Sequence, residues 1–277
     1  MLLRCKMQRV LISILLVLGL IVGGCGRSRA DVTVSGSTVL LPLARDAAAG
    51  FAPANAGAVV NVSGGGSYTG LQQVACGLVD IGASEVEPPA GDPKFKGLVD
   101  HVVALCPFLL IAHRDVGVDN LTADQASGIF TGRIKNWREV GGKDLKITIV
   151  NRPKSSGSRR VIKDLVLRGQ EFTGDARVVN SNVELREAVA KTPGAIGFVD
   201  AANLEGTVKT LKYDSVVCSR ETITNGAYPL WALEHMYTKG EPKGAVEAYL
   251  EFMCSASFRE KIKSRGFLLP SEMKKQK

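Results

Sequence analysis

The chain has 277 residues, 45% hydrophobic and 22% charged, with 30 glycines and 11 prolines. That balance belongs to a globular protein of about two domains and excludes disorder, low-complexity fibre and a single small disulfide-stapled module. Lys and Arg number 35 against 27 Asp and Glu, a net +8; without Arg4, Lys6 and Arg9 it is 32 against 27, a scattered +5 that argues against a nucleic-acid groove.

Taken in chain order, three cations within Met1–Arg9 precede the apolar run Val10–Val22, and then Gly23-Gly24-Cys25. This is the pattern of a signal peptide: a basic start, an apolar stretch too short for a membrane span of about 20 residues, and a small-residue cleavage site. A cysteine directly after two glycines resembles the lipobox of bacterial lipoproteins, in which that cysteine receives the lipid. The resemblance implies a signal peptide over 1–24, a lipidated Cys25 as mature N-terminus and a tether over 25–30. An uncleaved membrane anchor is the alternative. Export leaves Cys76, Cys106, Cys218 and Cys254, which permit up to two disulfides in three connectivities or serve as plain thiols. No CxxC spacing supports a metal site.

Beyond the tether, a β-branched strand, a Gly/Ser-rich turn and a helical pattern follow one another three times, the rhythm of an α/β fold. Val32–Val34 leads through Ser35-Gly36-Ser37-Thr38 into a helix from Leu43 to Phe51. Val59–Val62 leads through Ser63–Ser67 into a helix with Leu71, Val74 and Leu78 on one face. Ile147–Val150 leads through Asn151–Ser158 into a helix with Val161, Ile162, Leu165 and Val166. The apolar stretch Val102–Ala112 is long enough to pass between lobes, Val208–Tyr213 reads as a strand, and Tyr228–Tyr237 as an extended return. Two such crossings predict one lobe over 31–107 plus 228–277 and a second over 108–227. Lys243–Arg265 reads as two helices separated near Ser255.

Three helix starts with small hydroxyl or glycine residues are three places where unpaired N–H groups and the helix dipole favour an anion. Taken singly, Thr38, Ser67 or Ser156 reads as a structural N-cap. Three together, one beside Arg152, point to a shared oxyanion, with the guanidinium offering a two-pronged grip. Gly141–Asp144 lacks the P-loop pattern and Gly64–Gly70 the dinucleotide-binding spacing. His101, His113 and His235 lie outside the Gly/Ser turns, and no G-x-S-x-G elbow supports a nucleophile.

Several segments resemble the motifs of bacterial phosphate-binding proteins, the extracytoplasmic receptors of the high-affinity phosphate ABC importer. They are Val34–Pro42, Val62–Ser67, Val79–Ser84, Ile129–Trp137, Arg152–Ser158, Gly194–Val199 and Tyr237–Gly240. The likeness runs in order through essentially the whole mature chain. It implies a type II periplasmic binding protein fold, in which two α/β lobes close on a ligand. The matching positions imply phosphate ligation by Ser37, Thr38, the Val39 N–H and Ser67 from one lobe, and by Arg152, Ser156, Gly157 and Ser158 from the other.

Asp80 receives the role of accepting a hydrogen bond from protonated phosphate, which sulfate cannot offer, so that it discriminates between the two anions. Glu85 stands where some relatives carry Arg and is read as part of the rim or of a pair between lobes. Trp137 is expected to pack beneath a loop. No catalysis, metal, cofactor or nucleic acid is expected. The expected partners are inorganic phosphate, ABC permease subunits and the membrane through the lipid, with the receptor itself a monomer. The alternatives are another tetrahedral oxyanion such as sulfate or molybdate, a phosphate-ester hydrolase using Ser67 or Ser156, and a signalling or adhesion role for the same fold.

Overall fold

The computed structural model describes residues 31–53, 55 and 58–273. The signal peptide, Cys25 and the tether lie outside the described residues. The first half of the chain contains β1 (Asp31–Gly36), α1 (Leu41–Phe51), β2 (Val59–Gly64), α2 (Ser67–Ala75), β3 (Ile81–Ser84), β4 (Leu98–Ala112), β5 (Asn120–Leu121) and α3 (Ala123–Phe130). There follow β6 (Thr148–Asn151), α4 (Gly157–Leu165), β7 (Arg177–Val178), α5 (Asn182–Lys191), β8 (Ala195–Asp200), β9 (Lys209–Thr210) and β10 (Lys212–Tyr213). The chain closes with α6 (Arg220–Thr224), β11 (Trp231–Lys239), α7 (Ala245–Cys254) and α8 (Arg259–Ser264).

The strands form a continuous sheet in the order β2-β1-β3-β11-β4-β8-β6-β7, with β9 also on β4. β2, β1 and β3 run parallel, as do β8, β6 and β7, while β11 and β4 are antiparallel to their neighbours. β4 changes partner along its length: Leu98–Pro107 pair with β11, and Phe108–Ala112 with β8. Two α/β halves are thereby joined through one long strand and its antiparallel return. Tyr228 ties the return down, donating its hydroxyl to the Phe108 carbonyl at 2.8 Å.

Helix faces follow the 3.6-residue period. Leu43, Ala44, Ala47 and Phe51 of α1 are buried; Phe51 meets Tyr249 of α7 edge to face at 5.7 Å, and Tyr249 donates to the Ala44 carbonyl. Val161 and Ile162 of α4 are buried likewise. Two details differ from the sequence reading. α2 stops at Ala75, so Leu78 lies beyond it and is exposed. The 208–213 segment divides into β9 and β10, which pair with different strands, β4 and β5. Cys76, Cys106, Cys218 and Cys254 are all unpaired thiols. Trp137 is fully buried and donates its indole N–H to the Gly194 carbonyl at 2.9 Å. Among the described residues no helix is long and apolar enough to cross a membrane.

Candidate phosphate site

Parallel pairing brings the carboxyl ends of β1, β2 and β3 to one edge, since Gly36 lies opposite both Gly64 and Ala83. This is the edge at which open α/β sheets bind ligands. Beyond it stand Ser37 and Thr38, the start of α2 at Ser67, and Glu85. The other half presents Arg152 after β6, Ser156–Ser158 at the start of α4, and Asp200 at the end of β8.

These groups meet across the cleft. Glu85 is 3% exposed; its Oε1 accepts from Ser37 Oγ at 2.7 Å and from Ser67 Oγ at 3.4 Å, and its Oε2 from Ser158 Oγ at 2.5 Å. The Ser67 hydroxyl also accepts from the Glu85 N–H at 3.0 Å. Three serine hydroxyls from both halves are thus gathered around one anionic group. Arg152 is buried, donating to Thr38 Oγ1 at 3.3 Å, to the Asn180 carbonyl at 2.9 Å and to Asn182 Oδ1. The Asn182 amide donates onward to Asp200 at 2.8 Å, and Asn203 caps the same carboxylate. The guanidinium is therefore held by Asn180, Asn182 and Thr38 and leaves its charge to the cleft, although its Nε has no partner among the described residues.

Burial pushes Glu85 above the usual carboxylate range, against the hydrogen bonds from Ser158, Ser37 and Ser67 and the nearby Arg152 charge. Burial lifts Asp200 to about 7, opposed by Asn203, and the Glu85 charge adds to the lift.

The halves touch where side chains are smallest. The Tyr68 N–H at the start of α2 donates to the Ser155 carbonyl at 3.2 Å. Gly66, at φ +94°, leaves room for that carbonyl, which a Cβ would meet at 2.7 Å. Gly157 opens α4 so close to Ser67 that a Cβ would lie 2.2 Å from its hydroxyl. The Gly157 and Ser158 N–H groups lie in the first turn of α4, where intrahelical acceptors are lacking.

Ser37, Thr38, Ser67, Arg152, Gly157 and Ser158 are brought together. One expectation changes, and two other residues have local partners of their own. Asp80 is not at the site: it precedes β3, in register with Thr33, whose N–H and hydroxyl donate to its carboxylate at 2.8 and 2.6 Å. At about 3.3 Å per residue along a strand, the three positions from Thr33 to the end of β1 at Gly36 place it roughly 10 Å below that edge. The Val39 N–H donates to Ser37 Oγ at 3.1 Å, within the turn that leads into α1. Ser156 caps α4, accepting from the Arg159 N–H at 3.3 Å.

Glu85 at the centre, and Asn180, Asn182 and Asp200 behind Arg152, are site residues that the sequence reading missed or misplaced. Position offered one signal: Glu85, unlike Asp80, follows its strand. The pattern Ser181-x-x-Glu184 offered another, as the start of α5, where Ser181 accepts from the Glu184 N–H at 3.1 Å.

A model of the PBP superfamily domain matches residues 25–257. The phosphate-binding protein PstS of Bacillus subtilis is 39% identical over 252 residues, which cover 90% of this chain and 83% of that protein. The chain belongs to the PstS family of phosphate-binding proteins, within the PBP superfamily. The PstS of Borreliella burgdorferi is 28% identical, covering 86% of this chain and 89% of that protein. Among solved structures, a substrate-binding protein from Clostridium perfringens, assigned to a phosphate ABC transporter and holding phosphate, superposes with a TM-score of 0.82. It is 25% identical and covers 86% of this chain and 99% of its own. An ABC-type phosphate transport receptor from Vibrio cholerae gives 0.73 at 26% identity, covering 86% and 100%. The PstS fold is thus a two-lobed periplasmic binding protein fold in this chain as well.

Proposed function

We propose that this protein is an extracytoplasmic receptor, anchored through a lipidated Cys25, that captures inorganic phosphate between its halves and delivers it to an ABC permease. It acts as a monomer without making or breaking a bond, and its two lobes are 31–107 plus 228–277 and 108–227. The observation that carries the reading is the gathering of Ser37, Ser67, Ser158 and Arg152, drawn from both halves, around the buried Glu85 carboxylate. A tetrahedral oxyanion entering this donor set takes the serine hydroxyls, Arg152 and the first-turn N–H groups of α4.

Glu85 then takes the role that the sequence reading gave to Asp80. A carboxylate beside an anion is tolerable when the anion carries a proton to share; phosphate does so near neutral pH, whereas sulfate would leave two unshared negative charges in a buried space. Such a site needs about 8 kcal/mol for micromolar binding, within reach of several charge-assisted hydrogen bonds of about 1.5–3 kcal/mol each.

The test is calorimetric titration of the chain from Gly26 onward, stripped of ligand by unfolding and refolding, with phosphate and separately with sulfate. Tight one-to-one phosphate binding without sulfate binding supports the reading; equal binding of both, or of neither, overturns it.

A further inference from the structure

The strands that join the halves carry a group for which phosphate capture has no use. Glu234 lies on β11 opposite Ala104 of β4, and the register between the two strands shifts immediately after it, at Glu234/His235. It is fully buried, and neither carboxyl oxygen has a hydrogen-bond partner among the described residues. Buried polar groups without partners are rare in native structures. Keeping such a carboxyl ionised carries a desolvation cost with no hydrogen bond to offset it.

The surrounding charges compound that cost. From the end of β3, Glu85 repels a charge on Glu234, and from the end of β8 so does Asp200. From β4, the buried Cys106 thiol faces both Asp200 and Glu234. The cation of the cleft, Arg152, is engaged electrostatically with Glu85, Asp200 and Glu184. On β11 itself, His235 turns to Asp100, with 2.9 Å between Nδ1 and Oδ1, and stacks on Tyr237. Burial and these two carboxylates hold Glu234 well above the usual carboxylate range. A change of angle between the halves must bend β4 or β11, because these strands link them.

We infer that Glu234 is a proton-binding site at the hinge, neutral while the halves are closed and ionised once opening admits water, so that closure on phosphate takes up a proton there. The proton comes from solvent and adds to a carboxylate oxygen; no other bond changes. A group that binds its proton more tightly in the closed state stabilises that state while protonated, and the stabilisation fades as pH rises through its closed-state value. Closure is therefore favoured as pH falls. The inference rests on reading the cleft as the phosphate site and as closing on its ligand.

The experiment compares the mature protein with Glu234→Gln, a neutral isostere, and Glu234→Met, an apolar side chain of similar reach. Phosphate titrations in two buffers of different ionisation enthalpy give the protons taken up on binding. Protonation of phosphate is common to all three proteins, so a deficit shared by both variants belongs to the Glu234 carboxyl together with its coupling to Glu85 and Asp200. Expected is an uptake up to about one proton smaller in both variants at pH above the ordinary carboxylate range, with affinity falling less steeply toward high pH. Equal proton counts and equal slopes overturn the inference.

A second measurement needs no phosphate: Trp231 emission in the ligand-free protein, followed against pH. Expected is a transition in the parent that both variants lack, and a transition shared by all three overturns the inference. Absence of phosphate binding in all three, with the Trp231 difference intact, defeats the phosphate reading and leaves the proton site standing.

Discussion

Ser158 of α4 donates to Glu85 beyond β3 at 2.5 Å, a hydrogen bond between residues 73 positions apart on opposite halves of the molecule. With Ser37 and Ser67 donating to the same carboxylate, Glu85 is the point at which the halves recognise each other. An arriving oxyanion competes with Glu85 for those hydroxyls, which ties the affinity of the site to the chemistry of one side chain.

Exchanging that side chain tests the assignment directly. Glu85→Gln keeps the volume and removes the charge, so sulfate binding should appear in calorimetry where the parent is expected to show none, while phosphate weakens. Asp80→Asn should leave both titrations as they are and change stability by no more than about 1 kcal/mol, because its carboxylate serves Thr33 at a solvent-exposed position. A loss of phosphate binding in Asp80→Asn with none in Glu85→Gln would return the role to Asp80.

Arg152 supplies the positive charge of the cleft in a planar fork whose orientation Asn180 and Asn182 fix. Arg152→Lys keeps the charge but not the fork. Losing two charge-assisted hydrogen bonds of about 1.5–3 kcal/mol each predicts phosphate binding weaker by roughly 100-fold or more. Titration at constant ionic strength measures it, and a change below about 3-fold would show that Arg152 does not hold the ligand.

Gly66 is where closure can be blocked without altering a binding side chain. Gly66→Ala puts a Cβ 2.7 Å from the Ser155 carbonyl and an L-residue at φ +94°, at a folding cost of about 1–3 kcal/mol. The variant should fold and bind phosphate weakly, and its radius of gyration in small-angle scattering should stay unchanged on adding phosphate while that of the parent contracts.

Asp200 makes stability depend on pH. Its value in the folded protein, about 7, lies above the ordinary 3.8, so the folded state holds a proton that the unfolded state releases. Its contribution is full below about 3.8, declines as pH rises toward about 7 and is gone above. Urea unfolding across that window should show parent stability falling with pH more steeply than that of Asp200→Asn; parallel slopes would refute the assignment.

The strand, Gly/Ser turn and helix units at Ser37, Ser67 and Arg152–Ser158 were legible in the sequence, because N-terminal turn chemistry and helical periodicity are local properties. The extended character of Val102–Ala112 was legible for the same reason, a long apolar run, but its change of partner from β11 to β8 is decided by the sheet. The carboxylate was assigned to Asp80 because nothing local distinguishes an acid before a short strand from one after it. The parallel register of β1 with β3 decides that, holding Asp80 level with Thr33 and Glu85 near Ser37. The support of Arg152 by Asn180 and Asn182, the pairing of Glu85 with Ser158, and the burial of Asp200 and Glu234 likewise belong to the tertiary structure alone. They join segments tens to more than a hundred residues apart, and a sequence carries no record of which distant polar groups share a buried space until the sheet has brought them there.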